Sequence, residues 1–305
     1  MQTSHTTTVD RLSTVIDSFL ETARAEGLLS GESPRKYRQA LMTFIKVMGD
    51  LPIQDITLET FVNLKRQLLQ TGSGPSHING VVYAVKRLLH YCHRHRGLST
   101  CDLSEIRPLR VPRRAVTYLT SDELDQFMSA IRIQYRNGQP DRHGLCFRTL
   151  VEVLAGTGMR ISEALSLDRT AMDSRDHEAK IVGKGGKERT VFFSERAMRW
   201  LRRYCDSRTD RTPALFLSAR SGRRLERHEA QRMCHICAKR SGINKRVTLH
   251  TLRHTFATTL LRNGCPIGHI QGLLGHERLE TTCRYYLGVL DNKELKKAHE
   301  RFLEW

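Results

Sequence analysis

The chain has 305 residues, of which 39% are apolar, so it is long enough for two domains with packed cores. Its 50 lysines and arginines against 32 acidic residues give a formal charge of +18, which suggests a polyanionic partner, most simply nucleic acid. The alternative is a generally basic protein with no such ligand. No apolar run is long enough to span a membrane, and the N-terminal residues lack a signal-peptide core, so neither a membrane-spanning nor a secreted protein is expected.

The basic excess is concentrated after residue 106. Residues 1–106 carry 12 basic and 10 acidic side chains, so this part is nearly balanced. Residues 107–114 hold four arginines and no acid, and residues 115–305 hold 34 basic and 22 acidic side chains. We therefore predict the closest phosphate contacts in the linker and in the C-terminal part.

The N-terminal part, residues 1–106, predicts a small helical bundle. Its four predicted helices are residues 9–28, a helix starting at Ser33 and Pro34, residues 58–70 capped by Thr57, and a helix from about Ser76. The fourth helix carries Lys86 and Arg87, which are candidate DNA contacts. It ends in HYCHRHR, where no carboxylate supports a metal site, so we interpret this end as a solvated polar surface near phosphate.

Residues 107–117 are predicted to form an extended basic linker between the two domains. The segment contains two prolines and few helix signals. Its candidate DNA contacts are Arg107, Arg110, Arg113 and Arg114. A solvated linker with no ligand is the alternative.

Residues 118–305 are predicted to form a second domain, in which helices surround one hairpin. The predicted elements are a helix capped by Thr120 or Ser121, an apolar helix over 145–155 interrupted by Gly156, Thr157 and Gly158, strands 179–182 and 188–193, and helices 194–206 and 226–240. The predicted fold class is therefore mainly α with a small β-sheet: an all-helical N-terminal domain and a mixed α/β second domain.

Several cations of this domain are candidates for a phosphate site. Arg160 stands at a helix start, where Glu163 three residues later can hold it in place; a surface ion pair without a ligand is the alternative. Lys184 lies on the predicted hairpin tip, where it can reach a ligand bound elsewhere or be a solvated loop lysine. Arg220, Arg223 and Arg224 fall between two helices and are candidate DNA contacts.

Cys234 and Cys237 form a single CxxC pair on the predicted helix 226–240. A zinc site would need two more ligands, and the sequence has no second pair. The eight cysteines are scattered through a chain too large to need a disulfide framework, so reduced cytosolic thiols are expected. We predict no metal.

The stretch from Thr248 to Tyr285 brings together the side chains that suit attack on a phosphate. Thr248 can cap a helix that carries His250 and Arg253 on one face, near an N-terminus that favours anions. Gly264 and Pro266 predict the end of this helix and the start of the next. His276 follows Gly275 at a predicted turn, and Tyr285 comes nine residues later.

The motifs TGMRISEALSL, GKGGKERTV, HTLRHTFATTLL and LLGHERLETTCRYY occur in this order. With them the chain resembles the tyrosine recombinases, the phage integrase family, and in particular its compact Xer-like members. The resemblance covers essentially the whole chain. It implies that residues 1–106 are a core-binding domain and residues 118–305 a catalytic domain, which together clamp duplex DNA.

The resemblance also implies a set of active-site residues. The six matching positions are Arg160, Lys184, His250, Arg253, His276 and the nucleophile Tyr285. The two arginines and His276 would stabilise the transition state, His250 would be the base and Lys184 the acid, with no metal, ATP or other cofactor. Tyr286 follows directly, and the spacing from His276 favours Tyr285.

The implied function is site-specific DNA recombination through a 3′-phosphotyrosine intermediate and a Holliday junction. The expected partners are double-stranded DNA with inverted repeats and, through a C-terminal helix 290–305, further copies of the chain in a tetramer. An accessory or second recombinase is a further candidate, and a helix folding back on its own domain is the alternative for 290–305. The expected location is the bacterial cytoplasm, at the nucleoid. Two other functions remain open: a type IB topoisomerase, and a non-catalytic DNA-binding protein.

Overall fold

The structure, a computed structural model, describes residues 10–29, 33–112, 116–136, 139–173, 176–183, 186–286, 296, 299 and 300. The chain divides into two compact units, Met1–Arg113 and Arg114–Trp305. The division falls inside the linker predicted at 107–117. Arg113 and Arg114 themselves lie outside the described residues. Each unit has its own buried apolar core.

Within the described residues, the first unit contains four α-helices. They are α1 (Leu12–Ala25), α2 (Ser33–Met48), α3 (Leu58–Gln70) and α4 (Pro75–Arg96). Thr57 caps α3 as predicted: its hydroxyl accepts from the Thr60 backbone N–H, and the Thr60 hydroxyl accepts from the Thr57 backbone N–H. The side chains of Phe44 and Phe61 are at most 1% exposed and lie in the core of this unit, which is why the helices pack as a bundle.

The second unit combines eight helices and two small antiparallel sheets within the described residues. The helices are α5 (Ser121–Ser129), α6 (Arg142–Thr157), α7 (Ile161–Ser166), α8 (Glu195–Asp206), α9 (Arg227–Ser241), α10 (Leu249–Arg262), α11 (Ile267–Leu274) and α12 (Leu279–Tyr286). The strands are β1 (Tyr135–Arg136), β2 (Gln139–Pro140), β3 (Met172–Asp173), β4 (Glu178–Val182) and β5 (Glu188–Phe192). The predicted class, mainly α with a small β-sheet, is confirmed.

Helix α6 lies at the centre of this unit and packs against both α8 and α10. It runs two residues beyond the predicted end, through Gly156 and Thr157, and the Gly158 backbone N–H donates to the Leu154 carbonyl oxygen at its end. The helix ends at Gly158, which has φ +65°. A Cβ at Gly158 would lie 2.4 Å from the Phe256 ring, so the close approach of α10 requires glycine here.

The predicted hairpin is formed by β4 and β5, which pair antiparallel from Glu178 with Phe192 to Val182 with Glu188. The two-residue strand β3 extends it to a three-stranded sheet in the order β3-β4-β5. The sequence did not indicate β3, because two residues are too few to show an alternating pattern. Lys184, at the hairpin tip, lies outside the described residues.

The predicted C-terminal helix 290–305 also falls outside the described residues, apart from Lys296, His299 and Glu300. Within the part of the chain that the structure does describe, no helix has the length and apolar character needed to cross a membrane.

Candidate active site

The N-terminus of α7 holds Arg160 as predicted. The Glu163 carboxylate accepts from the Arg160 backbone N–H at 2.8 Å and from Arg160 Nη1 at 2.9 Å. The Arg160 side chain is 32% exposed, whereas that of Glu163 is only 6% exposed. The carboxylate therefore anchors the arginine at the helix start, and the guanidinium stays within reach of a ligand.

Arg189 on β5 is a member of this group that sequence reasoning missed. Its Nη1 and Nη2 donate to Oε1 and Oε2 of Glu163 at 3.0 and 2.7 Å. Burial alone would raise the pKa of Glu163, but the hydrogen bonds from Arg189 and Arg160 lower it to about 2. The position of Arg189 in the strand could have identified it. Arg189 pairs with buried Ile181 and lies two residues before buried Val191. Because side chains alternate between the two faces of a strand, Arg189 faces inward.

Arg253 on α10 binds two segments of the site, the one before α7 and the end of α11. Its side chain is 2% exposed. Nη1 donates to the Gly158 carbonyl and Nη2 to the Leu274 carbonyl, each at 2.7 Å. Gly158 is two residues before Arg160, and Leu274 is two residues before His276. Arg253 therefore brings the start of α7 and the end of α11 to the same place.

His276 follows Gly275, the glycine with φ +62° that ends α11. Its Nδ1 is 2.9 Å from the hydroxyl of Thr282, which is fully buried on α12. Burial, and then the positive charges of Arg253 and Arg160, lower the pKa of His276 to about 4. His276 is therefore neutral at pH 7, and two of the predicted arginines contribute to the lowering of its pKa.

His250 and His254 lie one turn apart on α10, with ring centroids 4.5 Å apart in an edge-to-face arrangement. Burial, followed by Arg253, Arg160 and Arg227, lowers the pKa of His250. Burial and the neighbouring His250 lower the pKa of His254 to about 4. His250 is thus a neutral imidazole near pH 7, the form that can accept a proton.

The partly buried His254 predicts a loss of stability in mild acid. His254 titrates near 4 in the folded chain but at 6.5 when unfolded, so the unfolded chain binds its proton first as the pH falls below 6.5. The stabilisation present above pH 6.5 is lost on the way down to pH 4. Between pH 7.5 and pH 5 we expect this histidine to remove about 2 kcal/mol from the free energy of unfolding.

Denaturant unfolding at pH 7.5 and pH 5 tests this expectation. The loss should be smaller in His254→Gln than in the unchanged chain, while His235→Gln, at an exposed position on α9, should lose as much as the unchanged chain. Equal losses in all three proteins would contradict the assignment.

Two of the six predicted active-site side chains are not placed by the structure. Tyr285 lies on helix α12, one residue before its end, but its side chain is outside the described part. Lys184 is outside it altogether. The structure thus brings together Arg160, His250, Arg253 and His276, and adds Arg189.

The predicted DNA-contacting arginines differ in their surroundings. Arg220 and Arg223 are exposed. Arg224 instead donates through Nη1 to the carbonyl oxygens of Leu165 and Leu167, at 2.7 and 2.9 Å, and through Nη2 to Asp168. In the first unit, Lys86 donates to the Ile106 carbonyl oxygen at 3.3 Å, and Arg107 and Arg110 are exposed.

Comparison with known proteins gives a consistent result. The model of the phage integrase family matches residues 117–293. Tyrosine recombinase XerC of Proteus mirabilis is 29% identical over 95% of this chain and 94% of the relative. Tyrosine recombinase XerD of Mycobacterium leprae is 32% identical over 92% of this chain and 94% of the relative.

A solved lambda integrase tetramer bound to a Holliday junction shares the fold. The TM-score is 0.70 at 17% sequence identity, and the match covers 88% of this chain and 78% of that chain. The family model spans more than half of the chain, and the XerD relative matches nearly its full length. The resemblance indicated by the four motifs is confirmed. The chain belongs to the phage integrase family, as an Xer-like tyrosine recombinase.

Proposed function

We propose that this recombinase cuts and rejoins DNA through a covalent bond to Tyr285, with the surrounding cations stabilising the phosphate. Site-specific DNA recombination is the activity of the enzyme, as its relatives and structural neighbours indicate. The observation that supports the residue assignment most is Arg253. By binding the carbonyl oxygens of Gly158 and Leu274, it holds Arg160 and His276 near one another although they are far apart in sequence.

The chemistry assigns one task to each group. Tyr285 Oη attacks the phosphorus and loses its proton to His250, whose lowered pKa keeps it neutral beforehand. The bond from phosphorus to the 5′ oxygen breaks, and Lys184 protonates that oxygen. The products are a 3′-phosphotyrosine and a 5′-hydroxyl. Attack by a second 5′-hydroxyl reverses the steps, so rejoining needs no ATP.

Arg160, Arg253 and His276 stabilise the pentavalent phosphorane. Its negative charge lies mainly on the non-bridging oxygens, which guanidinium groups bind well because they donate in pairs and stay charged. A neutral His276 can donate from Nε2 if Nδ1 carries no hydrogen. The Thr282 hydroxyl lies 2.9 Å from Nδ1, and we propose that it donates to Nδ1 and so favours that tautomer.

Thr282→Val is therefore expected to slow DNA cleavage by about tenfold, less than the roughly 10²–10³-fold cost of removing a transition-state donor outright, because His276 remains in place but its donating tautomer is no longer favoured. Valine keeps the shape but cannot donate to Nδ1, whereas Thr282→Ser should cleave nearly normally. Rates of covalent adduct formation measure the effect.

Thr258→Val is the matched control, because the buried Thr258 hydroxyl has no hydrogen-bond partner within the described residues and its loss should leave cleavage unchanged. A Thr282→Val rate equal to that of the control would contradict the tautomer argument.

For DNA contacts we propose the basic residues predicted from the sequence. They are Arg107, Arg110, Arg113, Arg114, Lys86, Arg87, Arg220, Arg223 and Arg224. We expect Lys86 and Arg224 to contribute less than the others, because each already donates to protein oxygens. We also propose that residues 1–106 form the core-binding domain and residues 118–305 the catalytic domain, as the resemblance implies.

The neighbouring residues Arg223 and Arg224 allow a direct test. Arg223→Ala should weaken DNA binding and reduce the slope of log K against log salt by about 1, because one phosphate contact is lost. Arg224→Ala should leave that slope unchanged and cost about 1–3 kcal/mol of stability, because the Leu165 carbonyl oxygen loses the Arg224 donor and the Leu167 carbonyl oxygen keeps only the Leu215 backbone N–H. Binding isotherms at several salt concentrations, with thermal unfolding, measure both. A lower salt slope for Arg224→Ala would assign that arginine to DNA.

For the assembly we propose a tetramer on two DNA sites with inverted repeats, in which the segment 290–305 of each protomer docks on the next. A solved lambda integrase tetramer bound to a Holliday junction has the same fold and supports this arrangement. The XerC and XerD relatives come from bacteria, and we propose the bacterial cytoplasm, at the nucleoid, as the site of action. A second recombinase as partner is compatible with the proposal.

Covalent trapping is the experiment that tests the function. The chain is incubated with nicked, sheared DNA of its source genome, denatured in detergent, and the DNA joined to protein is sequenced. We expect one recurrent sequence with inverted repeats; a duplex of this sequence is called the site duplex below. Adducts spread over all sequences, with relaxation of supercoils, would support the topoisomerase alternative. An absence of adducts would support the other alternative, a non-catalytic DNA-binding protein.

A further inference from the structure

Arg189 of β5 lies among three segments of the proposed active site. Its two terminal nitrogens bind both oxygens of Glu163, and its side chain is 13% exposed. A guanidinium that is bound in this way to a buried carboxylate is committed to the protein. Arg189 is therefore badly placed to contact DNA, and we expect its role to be within the second unit.

Two glycines show how closely the other segments approach Arg189. A Cβ on Gly275 would lie 2.8 Å from Arg189 Cδ and 2.9 Å from its Nε, and Gly275 directly precedes His276. A Cβ on Gly183 would lie 3.2 Å from Arg189 Nη1, and Gly183 directly precedes Lys184. The arginine thus packs between the start of the hairpin turn, the carboxylate on α7 and the end of α11.

We propose that Arg189 is a positioning residue, which orients Arg160 through their shared partner Glu163 and sets the turn that carries His276 by packing on Gly275. Glu163 Oε1 accepts from both Arg189 Nη1 and Arg160 Nη1, at 3.0 and 2.9 Å. The paired bonds from Arg189 fix the plane of the carboxylate, and the carboxylate in turn fixes Arg160. This inference rests on the proposed function, since it assigns Arg160 and His276 to phosphate.

A second buried glutamate in the same unit provides the matched control. Glu152 on α6 is 3% exposed and is bound by Arg148 at 2.8 Å and by Arg196 at 2.8 Å. Each glutamate is therefore held by two arginines, and removal of one leaves the other in place. Arg196→Gln likewise takes one of two arginines from a buried glutamate, although Arg196 is 44% exposed against 13% for Arg189. The partners recorded for the Arg196 side chain among the described residues are Glu152 and Asp125, not Arg160 or His276.

The test compares single-turnover adduct formation on the site duplex with DNA affinity and thermal stability. We expect Arg189→Gln to lower the cleavage rate by about 10- to 100-fold with unchanged DNA affinity, and Arg196→Gln to stay within about threefold of the unchanged chain. Arg189→Lys should remain slow, because a lysine restores the charge but cannot make the paired bonds. Equal rates for the two glutamine variants would overturn the proposal. So would a loss confined to DNA affinity, or full recovery with lysine.

A double-mutant cycle with Arg160→Ala tests the route of the effect. If Arg189 acts through Arg160, removing it after Arg160 has gone should cost less than removing it from the unchanged chain. We expect the double variant to be slower than Arg160→Ala by about threefold at most, which leaves room for the packing on Gly275. Multiplicative effects would overturn the route through Glu163.

A pair of glycines decides the question if Arg189→Gln does not fold. Gly275 and Gly242 both end helices with positive φ, at +62° and +68°, so alanine carries a similar backbone cost at each. Only at Gly275, of these two, would the new methyl group push on Arg189; at Gly242 it meets nothing within 4 Å. Gly275→Ala should slow cleavage at least tenfold more than Gly242→Ala, and equal rates would count against the proposal.

The same experiments distinguish a failure of this inference from a failure of the proposed function. If the unchanged chain forms no adduct, the function itself fails. If it forms the adduct and Arg160→Ala is slow, but the Arg189 and Gly275 variants match their controls, the function stands and this inference fails.

Discussion

Tyr285→Phe is expected to abolish the covalent adduct with the site duplex while DNA affinity stays within about twofold of the unchanged chain, since one hydroxyl contributes little to a contact made mainly with phosphates. The phenol oxygen is the atom that bonds to phosphorus, and no other group on this residue can replace it. Detergent-resistant adducts measure the first quantity, and fluorescence anisotropy with the same duplex measures the second.

The neighbouring tyrosine is the control for this experiment. Tyr285 and Tyr286 are the last two residues of α12, and successive side chains on a helix point about 100° apart. They therefore cannot both face the same phosphate, and Tyr286→Phe should retain the adduct. If Tyr286→Phe removes the adduct and Tyr285→Phe keeps it, the nucleophile is Tyr286 and the spacing argument from His276 is wrong.

The elements that could be predicted are those set by neighbours in the chain. Thr57 was predicted to cap its helix, and Thr120 or Ser121 to cap the first helix of the second domain. The caps are Thr57 and Thr120, and their partners, Thr60 and Glu123, lie three residues away. The hairpin was recognised because its strands alternate around a glycine-rich turn. In each case the deciding contacts are local, so the pattern in the sequence is sufficient.

The properties that could not be predicted depend on partners far along the chain. Arg189 reaches Glu163 across 26 positions, so nothing near Arg189 in sequence names its partner. Arg224 was read with Arg223 as one basic cluster. The structure separates the two, because Arg224 binds carbonyl oxygens at the end of α7 that only the folded chain brings near.

The assembly of the active site could be predicted only in part. The motifs named Arg160, Arg253 and His276 without showing how they meet. The structure supplies the reason: Arg253 is buried and bridges the carbonyl oxygens of Gly158 and Leu274, and this positions the two segments. Arg253 thus has a structural role beside the role in charge stabilisation that the resemblance implied, and replacing it would mix the two effects.

Arg160 is the better position at which to measure charge stabilisation alone. Arg160→Ala keeps the backbone N–H that donates to Glu163, and Glu163 keeps both bonds from Arg189. We therefore expect stability to change by no more than about 1 kcal/mol, as for a partly exposed ion pair. Cleavage of the site duplex should slow by about 10²–10³-fold, because one preorganised donor to the transition state is missing.

The size of this effect distinguishes a group that binds the transition state from one that only binds DNA. A rate loss of that size corresponds to about 3–4 kcal/mol at 1.4 kcal/mol per decade, whereas a single exposed phosphate contact would weaken affinity and leave the rate of the bound complex unchanged. Arg160→Lys should recover little of the loss, since an ammonium cannot donate two parallel hydrogen bonds to the phosphorane oxygens. Single-turnover rates at saturating protein measure the chemical step free of binding. If Arg160→Ala cleaves within about threefold of the unchanged chain under these conditions, the stabilising charge lies elsewhere, because a missing transition-state donor cannot be compensated by tighter binding of the substrate.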